Sequence, residues 1–273
     1  MHPRVVLALA CAGLALAPGV SRFAADTPAA ALDAPTYVLA LRFTPGERIV
    51  EHADIVDRMT WILPAAQLES FRSHGVVIEE QSRTHLLGTG VVTAVDARGA
   101  AVASDVAITT YDVPRQQVSA THQHGVTVIT PANTQAGTAL YPVEDAPMIG
   151  LPGTPVALGD RWTTRQRVVT RLGSGIATFE HVVGAVNGTR VRVDVSGAGT
   201  ITGKEYNLPR LLPGTIRLTG SAWFDQAAGL IVQESYHVEN ELVKPDGSEQ
   251  IGFIEALDAD SDVHKEEPAA PRN

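Results

Sequence analysis

Nine histidines and a single cysteine bound the side-chain chemistry open to this chain. His122-Gln123-His124 puts two imidazoles on one side of an extended segment, the way β-barrels present paired metal ligands. A third ligand would come from His52, His74, His85 or His237, and spacing does not choose among them. His122 and His124 are therefore the metal candidates. Asn187-Gly188 is a two-residue hairpin signal; with those residues as the loop, Val186 faces Thr189 and His181 faces Asp194. Ser196 then lies diagonal to His181 on the same face. Diagonal neighbours stand roughly 7–8 Å apart, too far for a Ser–His hydrogen bond. No Gly-x-Ser-x-Gly elbow occurs. A surface His–Asp pair is the expected arrangement, and the catalytic residues stay unknown. A hydrolase, metal-assisted or serine-type, is the competing class.

Other motifs fail on inspection. Asp258-Ala259-Asp260-Ser261-Asp262 starts like a calcium loop, but its sixth position is Val263 rather than Gly and its twelfth is Ala269 rather than Glu. Gly173-Ser174-Gly175 and Gly88-Thr89-Gly90 fit neither a Walker loop nor a dinucleotide fingerprint, so no cofactor is expected.

The elements that would position these groups are almost all strands. In Thr189-Val191-Val193-Val195 the odd positions are apolar, while Arg190, Arg192, Asp194 and Ser196 face the other way. Ile216, Leu218, Ala222 and Phe224 alternate with Arg217, Thr219 and Ser221. Leu230, Val232, Tyr236, Val238 and Leu242 alternate with Gln233, Ser235, His237 and Glu239. Asp225–Gly229 and Pro245-Asp246-Gly247 separate such runs. One apolar and one polar face per strand indicates antiparallel sheet. The run 47–63 is long enough to demand curvature or a bulge. Pro64–Arg72 is the one helix expected, with Pro at an allowed first-turn position. Val91-Val92-Thr93-Ala94-Val95-Asp96 is echoed by Val182-Val183-Gly184-Ala185-Val186-Asn187, and Gly46-Glu47-Arg48 by Gly159-Asp160-Arg161. Two similar sheet halves, or two similar hairpins, account for the echo. The fold class is mainly β: long antiparallel strands in a strongly curved sheet or half-barrel, with one short helix.

Residues 1–25 have the form of an export signal. Met1-His2-Pro3-Arg4 is a positive start, Val5–Ala17 an unbroken apolar run, and small residues extend to Ala25. The run is too short to span a bilayer, so cleavage and a periplasmic or extracellular destination are expected. Cys11 lies inside that run with Ala8, not Leu, three positions before it, which is a poor lipidation signal. Once it leaves, disulfides, thiol nucleophiles and cysteine metal sites are excluded. The formal charge of −9 becomes −11 after loss of Arg4 and Arg22, which argues against a nucleic-acid partner. No apolar stretch of about 18 residues follows the signal, so the mature chain has no transmembrane helix. The expected organisation is an N-terminal β half (26–150), a C-terminal β half of the same domain (151–258) and an acidic, disordered tail (259–273).

Pro155-Val156-Ala157-Leu158-Gly159-Asp160-Arg161-Trp162, and Leu41-Arg42-Phe43-Thr44-Pro45-Gly46-Glu47 before the first long strand, resemble openings in bacterial secreted β-rich families of unknown function. The resemblance covers most of residues 36–257. It implies the curved half-barrel of envelope lipoprotein carriers, which hold lipid in an apolar concavity, and it brings no catalytic residues. The sequence thus favours non-enzymatic binding, in the cell envelope, of a lipid or other apolar or amphipathic small molecule, or of an envelope protein. If the helix around Leu68 and Phe71 fills the concavity, the chain is a structural or interaction module instead.

Overall fold

Alternation of β-branched and polar residues produces strands of 13–18 residues through most of this computed structural model, which describes residues 35–97, 99–133, 135–136, 149–170, 172–204, 211–243 and 252–266. The expected export signal, the expected turn at Pro245-Asp246-Gly247, residues 137–148 of the Pro-rich connector and the chain beyond 266 lie outside them. In chain order the elements are β1 (Arg48–Ile62), α1 (Ala65–Ser73), β2 (Glu79–Asp96), β3 (Gly99–Asp112), β4 (Gln117–Ile129), β5 (Gln135–Ala136), β6 (Arg161–Val169), β7 (Gly173–Asn187), β8 (Arg190–Lys204), β9 (Leu211–Asp225), β10 (Leu230–Val243) and β11 (Gly252–Glu266). They form one antiparallel sheet in the order β5-β4-β3-β2-β1-β11-β10-β9-β8-β7-β6. The first and last long strands meet in the middle, so both halves share one sheet.

That central place corrects the expectation of a disordered tail from 259. β11 pairs with β1 from Gly252 to Glu266 and with β10 from Gly252 to Asp262. Asp258, Asp260 and Asp262 are two residues apart, so all three point to one face and Leu257, Ala259 and Val263 to the other. The acidic composition marks a solvated strand face rather than disorder.

The internal echo is structural. Gly46 N and Gly159 N donate to the carbonyls of Val92 and Val183, and these two valines donate back to the carbonyls of Glu47 and Asp160. Each acid caps its own turn: Glu47 accepts from Thr44 N at 3.0 Å, and Asp160 from Ala157 N at 2.7 Å. Gly46 and Gly159 have φ of 86° and 88°, a left-handed backbone that favours glycine. The β2–β3 pairing slips between Val92 and Ala94, and the β7–β8 pairing between Val183 and Ala185. β1–β4 and β6–β9 are thus the same bulged unit used twice.

The sheet is strongly curled. β4 and β10 stand five places apart, about 24 Å in a flat sheet at ~4.8 Å per strand. Yet the adjacent residues Leu41 and Arg42 donate to Pro131 O, just past β4, and to Gly229 O, just before β10, at 2.8 and 2.9 Å. At the same end, residues 149–151 bridge the two sheet edges. Leu151 N donates to Ala132 O, Asn133 Nδ2 to Ile149 O and Trp162 Nε1 to Gly150 O. The ladder itself stays open, since β4 and β6 do not pair among the described residues.

The core lies inside the curl. Phe179, Val193, Val195, Ile216, Leu218 and Phe224 are buried there. Leu39, Leu41, Ile149, Leu151 and Val156, from the two extended segments that cross the inside, join the same cluster. Those segments, not the helix, cover the apolar face: α1 has no buried residue. Nine residues with Leu68 and Phe71 as the apolar pair make too narrow a stripe to seal so wide a concavity.

Candidate ligand-binding face

The inner face is divided. Across β7, β8 and β9 it is built from the aliphatic and aromatic residues just named. Across β10, β11, β1, β2 and β3 the same face is mixed: Glu234, Tyr236, Asn240, Glu255, Glu51, Asp57, Ser82, Thr84 and Thr110 stand among Val238, Phe253, Met59, Leu86 and Ile108. Alternation puts these polar groups inside because each shares its phase with core residues of its own strand, as Glu51 does with Ile55 and Met59.

Pairs of these groups bond to one another. Tyr236 donates its hydroxyl to Glu234 Oε1 at 2.8 Å. Asn240 Nδ2 donates to Glu255 Oε2 at 2.7 Å, both residues being 2% exposed. Thr84 and Thr110 hydroxyls lie 2.9 Å apart, also buried. Asn240 Oδ1 and Ser82 Oγ are buried acceptors without a partner among the described residues. Burial, with Glu234 and Asp262 adding like charge, pushes the Glu51 carboxyl up to about 8. Burial also raises Glu234, against the pull of the Tyr236 hydroxyl. Both carboxyls thus hold their protons more tightly than carboxyls in water. At β4 the inner positions Ser119 and Thr121 are exposed, so this side of the curl opens to solvent.

The structure separates the serine-type trio. Asn187 pairs with Arg190, so the loop is Gly188-Thr189, and the bulge at Gly184 then shifts the pairing beyond it by one residue. His181 then opposes Val195, while Asp194 opposes Val182 and Ser196 opposes Glu180. A one-residue slip sends side chains to opposite faces. His181 is fully buried inside, stacked on Trp162 at 5.1 Å, with Nε2 2.9 Å from Thr164 Oγ1. Burial lowers it to about 4. Asp194 and Ser196 stand on the outer face.

His122 and His124 also lie on the outer face, on β4, with their Nδ1 atoms 3.7 and 3.5 Å from Asp105 Oδ1 of β3. The third-ligand candidates do not join them. His85 pairs with Asp54, His52 stacks on His264, His74 bonds Ser70 O after α1, and His237 lies on β10. Among the described residues, no group of three or more His, Cys, Asp or Glu is arranged to hold a metal ion.

One arrangement had no short-range signal. On the outer face, His237 Nδ1 and Asp258 Oδ1 are 2.7 Å apart, and Arg58 Nη1 donates to Asp258 Oδ2 at 2.7 Å. The Asp258 contact raises His237, and the His237 and Arg58 contacts lower Asp258. His237 and Asp258 border a shallow groove of about 560 Å³ that includes Arg192, Asp194, Ser221 and Ser235. His237 Nε2 faces Glu239 at 3.5 Å, so the imidazole sits between two acids and presents no activated hydroxyl. Only the β9–β10–β11–β1 register assembles this set. The inner carboxyls, by contrast, were visible as acids in the apolar phase of their strands.

No known protein-family pattern matches the chain, and no curated protein matches it. Among solved structures, an outer membrane channel from Pseudomonas putida F1 aligns over 82% of this chain and 97% of its own at 12% identity. The TM-score is 0.27, well below that of a shared fold. No helix among the described residues is long and apolar enough to cross a membrane.

Proposed function

We propose that this is a non-enzymatic binding protein of the cell envelope, exported by its leading segment, which holds an amphipathic ligand against the inner face of the sheet. The observation that carries the reading is the set of polar side chains Glu51, Glu234, Tyr236, Asn240 and Glu255, placed among the core residues of β10, β11 and β1 beside the apolar inner face of β7–β9. A wholly apolar guest fits less well. The inner apolar residues of β7–β9 are already buried, packed in one cluster with Leu39, Leu41, Ile149 and Leu151, while the strands beside them carry polar groups whose burial is costly without partners. A guest with one polar end supplies those partners.

The experiment is native mass spectrometry of gently purified exported protein. A small-molecule adduct is expected in the wild type. Tyr236→Phe removes the hydroxyl that orders Glu234 and should weaken binding about tenfold, with the circular dichroism of the sheet unchanged. A protein that is empty in every preparation, or a Tyr236→Phe variant that retains the adduct in full, would show the reading to be wrong.

A further inference from the structure

We infer that the groove on the outer face of β8–β11 is a binding site for a short neutral saccharide. The register explains why a groove exists there. β9 and β10 meet in three successive outward pairs: Trp223 with Gln233, Ser221 with Ser235, and Thr219 with His237. The serine pair has the smallest side chains of the three, so it floors a trench between taller rows. The same row continues to Asp194 of β8, which opposes Ser221, and to Asp260 of β11, which opposes Ser235. Those two acids stand three strands apart, about 14 Å at ~4.8 Å per strand. The volume of 560 Å³ falls within the roughly 300–1,000 Å³ of small-molecule sites.

The groups along the trench divide into held and free ones. Arg192 is tied to Asp194, Nε to Oδ1 at 2.9 Å. Asp258 lies between His237 Nδ1 and Arg58 Nη1, 2.7 Å from each. These side chains are already ordered, which lowers the entropic cost of binding. Asp260, Ser221 and Ser235 have no side-chain hydrogen bond or ion pair among the described residues. A free carboxylate and two free hydroxyls thus lie along a floor whose walls are already set.

The balance of charge selects the class of guest. Asp194, Asp258 and Asp260 repel a polyanion, while Arg192 and His237 repel a polycation. No Val, Leu, Ile, Met or Phe lines the groove, so an apolar guest finds no partner there either. A sugar hydroxyl is donor and acceptor at once. It donates to the Asp260 carboxylate or accepts from the Arg192 guanidinium, and the two serine hydroxyls serve in either sense. Trp223 adds an apolar surface beside these groups. It stands two residues beyond Ser221 on the same outward face, opposite Arg192, and is half-buried. An aromatic ring at that position offers a platform for the C–H face of a sugar ring.

The test is isothermal titration calorimetry of the full exported chain with cellotriose, maltotriose and triacetylchitotriose, with spermidine and citrate as charged controls. At least one trisaccharide is expected to bind, and neither control. Asp260→Ala removes the free carboxylate and Ser235→Leu fills the floor; each should weaken binding at least about tenfold. The two positions lie on solvated faces of different strands, so either variant reports even where the other folds poorly. Retention on the matching insoluble polymer (cellulose, starch or chitin), released by the trisaccharide, would identify a polysaccharide as the source of the sugar. Binding without retention would identify a free oligosaccharide. A chain that binds none of the three, one that prefers spermidine or citrate, or an affinity indifferent to both substitutions overturns the inference.

Discussion

Replacing Gly197 by alanine is expected to destabilise this protein by about 3 kcal/mol, and Gly197→Val to prevent folding. Gly197 lies on the inner face of β8 opposite Phe179 of β7, whose ring covers it. A β-carbon there would overlap the edge of that ring and stand 2.6 Å from the Thr178 carbonyl oxygen. Neither neighbour can give way. The carbonyl belongs to the backbone of a paired strand, and Phe179 is 1% exposed within the core. Packed interiors resist even a methylene. Against a total stability of about 5–15 kcal/mol, a loss of this size removes a large share of the folded state's margin. Phe179→Leu relieves the clash with the ring, so the double substitution should cost less than the sum of the two single ones by about 1 kcal/mol or more. Urea unfolding of the four proteins of the cycle measures this directly. Strict additivity, or a Gly197→Ala variant as stable as the wild type, would remove the ring-over-glycine account. Tyr236 over Gly220 repeats the arrangement among the polar inner groups, where an added β-carbon would meet the tyrosine ring and Ser235 O.

What could be read from the sequence divides along physical lines. The strands and their faces were legible at β8, where Val191, Val193 and Val195 alternate with Arg190, Arg192 and Asp194, because period two is a local property. The helix at 64–72 was legible for the same reason, from its proline and its lack of alternation. His181 was placed on the wrong face because the Asn187-Gly188 signal reports a turn but not the bulge at Gly184, and one residue of slip inverts a strand. β11 was half missed. Its acids suggest a solvated tail, and the pairing with β1 that makes it central joins residues some two hundred apart, with no local trace. The covering of the apolar face by Leu39, Leu41, Ile149 and Leu151 was not legible either, since extended segments without alternation carry no sign of what they cross. The acids of the inner wall could have been found: Glu51 and Glu234 each occupy a position that the alternation reserves for an apolar residue.

Those misplaced acids set the second large expectation: stability should stay level between about pH 4.5 and 6.5 and then decline toward pH 8. Glu51 has its folded value raised from 4.5 to about 8, so its contribution is complete below 4.5 and is lost as pH rises through 8. His181 has its folded value lowered from 6.5 to about 4, so its contribution is complete above 6.5 and is lost as pH falls through 4. Between 4.5 and 6.5 the two slopes are opposite and cancel. Above 6.5 the Glu51 loss runs unopposed, reinforced by His237, whose value is raised from 6.5. Below 4.5 the loss belongs to His181, joined by Asp225 and Asp258, whose values are lowered. Glu51→Gln keeps the shape of the protonated acid and cannot ionise. Its melting temperature should exceed that of the wild type by about 5 °C at pH 8.5 and match it to within about 2 °C at pH 4.5. An equal gain at both values would show that packing rather than ionisation is responsible, and no gain at pH 8.5 would place Glu51 in water. The same variant bears on binding. A ligand whose polar end is cationic would stabilise the ionised acid and lose affinity in Glu51→Gln, whereas a neutral hydrogen-bonding end would bind the glutamine as well as the acid.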